Sequence, residues 1–406
     1  MVTYDFFVKS LFNDIFYNSA IMSFVKKFDL FIIVYCIIII LSVMYATQPL
    51  QPLLAREFDI SVTKASQFTA IIMLFLAISP IIYGYILEKV NAKKMLINSS
   101  IILFITNIFL GSSTTYEFFM FFRTVEALVV PAILTSLMSI LANMDKENVK
   151  FNMSIYVAST VFGGLVGRVF SGFIATNFSY QFVFYSLSFA ILVSIYFINK
   201  LSYEGEADIV KPKISDVLEI LKDKRFTTIY LLMFCVFFVF AGVLNVLPFR
   251  LKDISTDISE FQISLLYLGY GMGILVSLNS KKIIRFFKTE VNTIIFGLVF
   301  FLFITVFLVL PNIMTMFLLI FLFCLGMFTV HSVSTGLANS LKASQKSLTS
   351  GMYLTFYYLG GAIGSFIPSI IYEKFGWNIV LYIFCFILFL TLILIFTRRK
   401  LFIEEK

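Results

Sequence analysis

Long apolar runs and short polar joints alternate along almost the whole chain. Twelve such runs can be drawn, at 28–49, 64–87, 94–111, 115–142, 149–175, 179–198, 226–249, 260–279, 289–310, 313–340, 346–371 and 376–397. Each approaches or exceeds the ~20 apolar residues that a bilayer crossing takes at ~1.5 Å per residue. A crossing segment must satisfy its own backbone hydrogen bonds in lipid, so the pattern predicts helices. The expected fold is an all-α polytopic membrane protein with twelve transmembrane helices. The segment 1–27 breaks the pattern: Phe7, Val8, Leu11, Phe12, Ile15 and Phe16 recur at helical spacing, with Asp5, Lys9, Asn13 and Asp14 between them. That spacing predicts a short amphipathic helix in the membrane interface, unless Met22 is the true first residue.

The longest polar joint, 200–225, divides the runs into six and six. It predicts an N-terminal bundle over 28–199, a cytoplasmic linker over 200–225, a C-terminal bundle over 226–397 and a tail over 398–406. A shift of 197 residues brings the two halves into register without gaps. Tyr156 meets Tyr353, Gly163 and Gly164 meet Gly360 and Gly361, and Gly167 meets Gly364. Farther on, Ile174, Phe178, Val183, Tyr185 and Phe189 meet Ile371, Phe375, Val380, Tyr382 and Phe386, and Gln48 meets Asn245. Six helices per copy start and end each copy on the same side, so the repeats are parallel, with a cleft between them at the midplane.

Composition changes this picture little, but charge orients it. The chain is 60% hydrophobic and 13% charged, with a net charge of +8. With both termini in the cytoplasm, 24 of the 31 Lys and Arg fall in tails and cytoplasmic joints. Only Arg56, Lys64, Arg250, Lys252 and Lys374 fall outside, an asymmetry that sets the orientation by the positive-inside rule. Nucleic acid is not needed to explain the basic balance, and the lipid bilayer is the expected partner. Cys36, Cys235, Cys324 and Cys385 lie within predicted helices and form no CxxC pair, so they read as packing residues. One histidine, with no nucleotide-binding loop, zinc-protease or nucleophile-elbow motif, leaves no cofactor or metal site to predict.

The joint "GYILEKVNAKK" (84–94) places Gly84, Glu88, Lys89, Asn91 and Lys93 between the second and third runs. A small residue such as Gly84 lets a membrane helix approach its neighbour. Asn91 is the best non-glycine residue for a turn that needs positive φ. Two more stretches are "RTVEALVVP" (123–131) and "GGLVGRVFSG" (163–172). The chain resembles the major facilitator superfamily of secondary transporters across nearly its whole length; against the family's fifth-helix motif, Arg168 stands where a proline is usual and Ser171 where a glycine is usual. Among those it looks most like bacterial inner-membrane sugar and drug efflux permeases. The resemblance implies that the 84–94 joint is a cytoplasmic gate motif. Glu88 would then latch onto the start of the eleventh helix near Lys346 and hold the inner side closed.

Four ionisable residues lie inside the runs: Arg123, Glu126, Arg168 and His331. A charge at the bilayer centre costs at least ~2.5–3.5 kcal/mol, so each needs a partner or a wet cavity. By helical rise, Arg123 and Arg168 lie ~9 Å to the outer side of the midplane and His331 ~7.5 Å to the inner side. Arg123 and Glu126 are i, i+3 neighbours, and with Arg168 they are expected to form one cluster of net positive charge. Gln48, Tyr156, Asn245 and Tyr353 are cavity candidates by their matched placement. The reading is a proton-coupled exporter of a small organic compound such as a drug or sugar, acting as a monomer by alternating access. Uptake of an anionic metabolite is the alternative within the fold; a polytopic enzyme or scaffold is the alternative outside it.

Overall fold

The computed structural model describes residues 24–87, 90–145, 148–203, 214–341 and 346–402. Its regular structure is helical: α1 (Phe24–Tyr45), α2 (Gln51–Glu57), α3 (Val62–Leu87), α4 (Ala92–Gly111), α5 (Tyr116–Asn143), α6 (Val149–Asn177) and α7 (Tyr180–Asn199). There follow α8 (Ile214–Lys222), α9 (Lys224–Ile254), α10 (Glu260–Leu265), a 3₁₀ turn (Leu266–Tyr270), α11 (Gly271–Phe287), α12 (Glu290–Phe307), α13 (Ile313–Leu341) and α14 (Lys346–Thr397). Among the described residues, eleven helices are long and apolar enough to cross a membrane. The last of these runs 50 residues, about 75 Å at the helical rise and more than twice a ~30 Å hydrocarbon core. It bends back at Gly376, whose φ of 77° and ψ of 178° leave the helical region. A Cβ there would meet nothing within 4 Å, so backbone conformation and not space calls for glycine. The count is consistent with twelve crossings.

Two boundaries differ from the sequence pattern, both for local reasons. The first crossing stops at Tyr45 and not at 49, and α2 follows after a turn. Pro49 disfavours helical backbone at Gln48, and Pro52 sits in the first turn of α2, where its missing N–H costs nothing. The eighth crossing runs on to Phe287 as helix. Its last turns carry the exposed Lys281, Lys282 and Arg285, cations that favour a helix C-terminus.

Successive crossings run antiparallel, so the ends of the bundle are named here by the chain: proximal holds residues 24 and 402, distal holds 45–62 and 376. Hydrogen bonds at both ends agree with that order. Proximally, Arg398 Nη1 donates to Thr228 Oγ1 at 3.1 Å, and the Ser202 hydroxyl donates to the Asp29 carboxylate. Distally, Trp377 Nε1 donates to Leu308 O at 2.8 Å.

Contacts at the 197-residue offset recur in pairs. Tyr156 OH donates to Leu134 O at 3.4 Å and Tyr353 OH to His331 O at 3.3 Å, and residues 134 and 331 are themselves 197 apart. Gln48 bonds position 168 and Asn245 bonds position 365, again equivalent partners. The matched glycines explain how the helices come together. A Cβ at Gly163 would lie 2.7 Å from Ile38 O, and one at Gly167 2.5 Å from Ser42 O. A Cβ at Gly360 would lie 2.9 Å from Phe234 Cα, and one at Gly364 2.6 Å from Phe238 Cα. Both pairs let backbones touch, α6 on α1 and α14 on α9, as small residues do where lipid offers no hydrophobic drive. Ser42 Oγ then donates across to Gly163 O at 3.0 Å. Gly164 and Gly361 face side chains instead, Tyr45 and Phe237.

Candidate functional site

The turn between α1 and α2, "TQPLQ" (47–51), is the hub of the interior. Thr47, Gln48 and Gln51 are fully buried, and each binds a different helix. Thr47 Oγ1 accepts from Arg123 Nη2 at 2.9 Å. Gln48 Oε1 accepts from Arg168 Nε at 2.7 Å. Gln51 Nε2 donates to Thr69 Oγ1 at 2.8 Å and to Asn245 Oδ1 at 2.6 Å. Polar side chains gather here because two prolines end one helix and start the next within six residues. The open turn leaves backbone and side-chain groups to be satisfied inside the protein.

Arg123, on α5, is saturated. Nε donates to Phe68 O at 2.9 Å, Nη2 to Met44 O at 2.8 Å, and Nη1 to Val43 O at 3.4 Å and to Glu126 Oε1 at 2.5 Å. Val43 and Met44 lie in the last turn of α1, where carbonyls lack helical partners and the dipole is negative. Arg123 and Glu126 both have no exposed side-chain surface. Glu126 Oε2 has no hydrogen-bond partner.

Arg168 does not join that pair. The expected single cluster is two stations on the α1–α2 turn, because Gln48 and the carbonyl of Gly164 (2.8 Å from Nη1) draw the Arg168 guanidinium to themselves. Its centre lies 3.8 Å from the Tyr45 ring, 4.3 Å from Tyr270 and 5.1 Å from Tyr267. From Tyr270 the aromatic surface continues through Phe328 (5.6 Å between centroids) and His331 (6.4 Å from Phe328) to Tyr357 (4.8 Å). His331 Nδ1 lies 2.9 Å from Tyr353 OH. Tyr156, Tyr270, His331 and Tyr357 stay partly exposed although they sit within long helices.

Of the gate motif, Glu88 and Lys89 lie outside the described residues, and Gly84 falls in the last turns of α3. Asn91 does not take the positive φ expected of it: at φ −56° and ψ 133° it is the N-cap of α4, accepting from Lys93 N and Lys94 N. An asparagine side chain satisfies those orphan donors better than a left-handed turn would. Lys93 Nζ donates to Leu201 O, just past α7, at 2.6 Å.

Sequence reasoning missed Gln51, Tyr45, Tyr270 and Tyr357. Gln51 had a usable signal, a polar residue between two prolines at the end of an apolar run. The tyrosines had none, since 20 tyrosines are spread along the chain.

Distal hydrogen bonds join the residues before the 200–225 joint to those after it. Besides Gln51 to Asn245, Thr63 N and Oγ1 donate to Glu373 Oε2 at 3.0 and 2.6 Å, and Phe261 N donates to Thr176 Oγ1 at 2.9 Å. Together these features define a many-crossing helical membrane protein with duplicated contacts, tied at one end around a polar and aromatic interior. A family model for the Major Facilitator Superfamily matches residues 32–341, and the chain belongs to that superfamily.

Its similarities are distant but long. The inner membrane transport protein YnfM of Escherichia coli (strain K12) is 22% identical over 351 residues, 83% of this chain and 82% of its own length. An uncharacterised MFS-type transporter, YybF of Bacillus subtilis (strain 168), is 21% identical over 365 residues, 86% of this chain and 88% of its own. Among solved structures, the peptide transporter POT superposes with a TM-score of 0.76 over 92% of this chain and 94% of its own, at 10% identity. The nucleoside transporter NupG does so at 0.73 over 95% and 100%, at 11% identity. At such identities the structural likeness shows the fold alone. The protein is a multi-pass membrane transporter and not an enzyme.

Proposed function

We propose that this transporter exports a small organic compound across a bacterial inner membrane in exchange for protons. Both termini would lie in the cytoplasm, which makes the distal end the outer one. The charge asymmetry of the joints supports that orientation, and the distant likeness to an inner membrane transport protein supports the compartment. The two bundles, 28–199 and 226–397, would rock about the interior as a monomer, with 200–225 as the linker between them. With the distal end outside, the distal hydrogen bonds between the two bundles would close the interior to that side.

The observation that carries proton coupling is Glu126. Its Oε1 is held by Arg123, while Oε2 is buried without a partner. Because Arg123 is otherwise engaged by carbonyls and Thr47, it stays in place whether or not Glu126 carries a proton. A carboxyl with one free buried oxygen beside a fixed cation is built to gain and lose a proton without unfolding its surroundings.

The test is transport by the full chain in proteoliposomes, against a panel of sugars, drugs and organic acids, with and without an imposed pH gradient. Glu126→Gln is expected to keep counterflow exchange but lose gradient-driven accumulation. Gradient-driven transport that survives this substitution removes Glu126 as the carrier.

A further inference from the structure

Arg168 is a fully buried cation, and none of its described hydrogen bonds or ion pairs goes to an anion. Two of its nitrogens are used, by the neutral acceptors Gln48 Oε1 and Gly164 O, while Nη2 has no acceptor in hydrogen-bonding geometry and the neutral phenols of Tyr45 and Tyr270 lie beside the guanidinium. Tyr45 and Tyr270 lie over the guanidinium at 3.8 and 4.3 Å. They hold it in position by cation–π attraction but cannot cancel a full charge. Arg123 shows the contrast within the same protein, since it has a carboxylate and spends every nitrogen. A buried charge without a counter-ion is costly unless something supplies one.

Resting on the transport reading above, we propose that Arg168 anchors the carboxylate of the cargo, and that the cargo class is small aromatic acids. A guanidinium edge with a free nitrogen fits a carboxylate, the pairing for which arginine's planar fork is suited. The body of the cargo is set by what lies next to that edge. Tyr270, Phe328, His331 and Tyr357 form a continuous run of ring contacts from Arg168 into the protein. Flat rings are favoured there by offset and edge-to-face contact. Along the bundle axis Arg168 and His331 are about 13 Å apart by helical rise from the centres of α6 and α13, enough for one or two fused rings and their acid group.

The experiment is equilibrium binding to the purified full-length protein in detergent. The probes are radiolabelled benzoate, 1-naphthoate and indole-3-acetate, each against its neutral amide. The wild type is expected to bind at least one acid about tenfold or more tightly than its amide. Arg168→Gln should bring acid and amide within about twofold, while Arg168→Lys keeps a reduced preference for the acid. If Arg168→Gln does not purify as a monodisperse protein, the comparison of wild type with Arg168→Lys decides. A wild type that binds acid and amide equally, or binds none of the pairs, overturns the proposal, as does a preference that Arg168→Gln or Arg168→Lys leaves unchanged. Counterflow run in parallel separates the two readings. Acid-selective binding without exchange of any compound sinks the transport cycle and keeps the anchor; exchange of cargo without acid selectivity sinks the anchor and keeps the cycle.

Discussion

The matched glycines allow a prediction with its own internal control. Gly364→Ala places a methyl group against the carbonyl oxygen of Phe238 and 2.6 Å from its Cα. Ordinary Cβ contacts begin near 3.4 Å, so α14 and α9 must part by at least about 0.8 Å, the gap at Cα, and the carbonyl oxygen lies nearer still. Both neighbours are helix backbone, which cannot swing aside as a side chain would. Overpacking of this kind costs about 1–3 kcal/mol. Against it stands the gain of replacing a mid-helix glycine with alanine, about 0.5–1 kcal/mol. Gly336→Ala, on α13, makes the same gain with nothing within 4 Å of the new methyl. The difference between the two variants therefore isolates the clash, and Gly364→Ala should be less stable than Gly336→Ala by about 1–3 kcal/mol. Reversible unfolding in mixed detergent micelles, followed by the single tryptophan Trp377, measures both. Equal stabilities within about 0.5 kcal/mol would refute the claim that close helix approach at the repeat positions holds the bundle.

The remaining predictions concern charge. Glu373 lies in the distal turn of α14, and the bond from the Thr63 hydroxyl, before all other causes, lowers its pKa below the ordinary 4.5. The Glu373–Thr63 tie should therefore be at full strength above that value and be lost as the distal pH falls through the lowered one. Spin labels at Lys64→Cys and Lys374→Cys should report a wider distance at acid pH in the parent and no pH dependence with Glu373→Gln; a pH-independent parent would rule the tie out. Arg123→Met strands Glu126 as a buried unpaired acid and should destabilise by about 3–5 kcal/mol. Adding Glu126→Leu should recover part of that loss in the same unfolding assay, and a double variant no better than the single would deny that the pair is coupled.

Much of the architecture was legible in the chain because lipid makes demands that sequence can display. A crossing must be apolar and helical, so the runs located the helices, and the 197-residue shift located the contacts that hold them. What was lost were features set by backbone that interrupts a run. The apolar stretch before Gln48 reads as if it continued, yet Pro49 ends it and creates the buried turn where Thr47, Gln48 and Gln51 bind four partners. Helical rise put Arg123 and Arg168 at one level, and both bond the same α1–α2 turn. Azimuth was not legible, so two arginines at one height looked like one cluster. The side chains in fact part around Gln48 and Met44, because each guanidinium is drawn to whichever carbonyl or amide oxygen its own helix face presents.

The internal repeat also shows which residues do something other than hold the frame. Contacts that build the bundle occur twice: Tyr156 with Leu134 and Tyr353 with His331, Gln48 with Arg168 and Asn245 with Ser365. In each pair the two positions still meet, but one partner changes chemical kind: leucine in one half is histidine in the other, and arginine is serine, with Gln48 accepting from Arg168 Nε where Asn245 Nδ2 donates to the Ser365 carbonyl. Arg123 and Glu126 correspond in the same way to Ile320 and Phe323. Arg123, Glu126, Arg168 and His331 therefore each stand opposite an uncharged residue at the 197-residue offset. Packing does not require the charge, since the equivalent site packs without it, and burying it carries a penalty. A charge kept in one half at that cost, where the other half does without, points to work that the two halves do not share. Under the function proposed above, such unpaired positions are where cargo and coupling proton would meet the protein, and the paired ones would carry the motion.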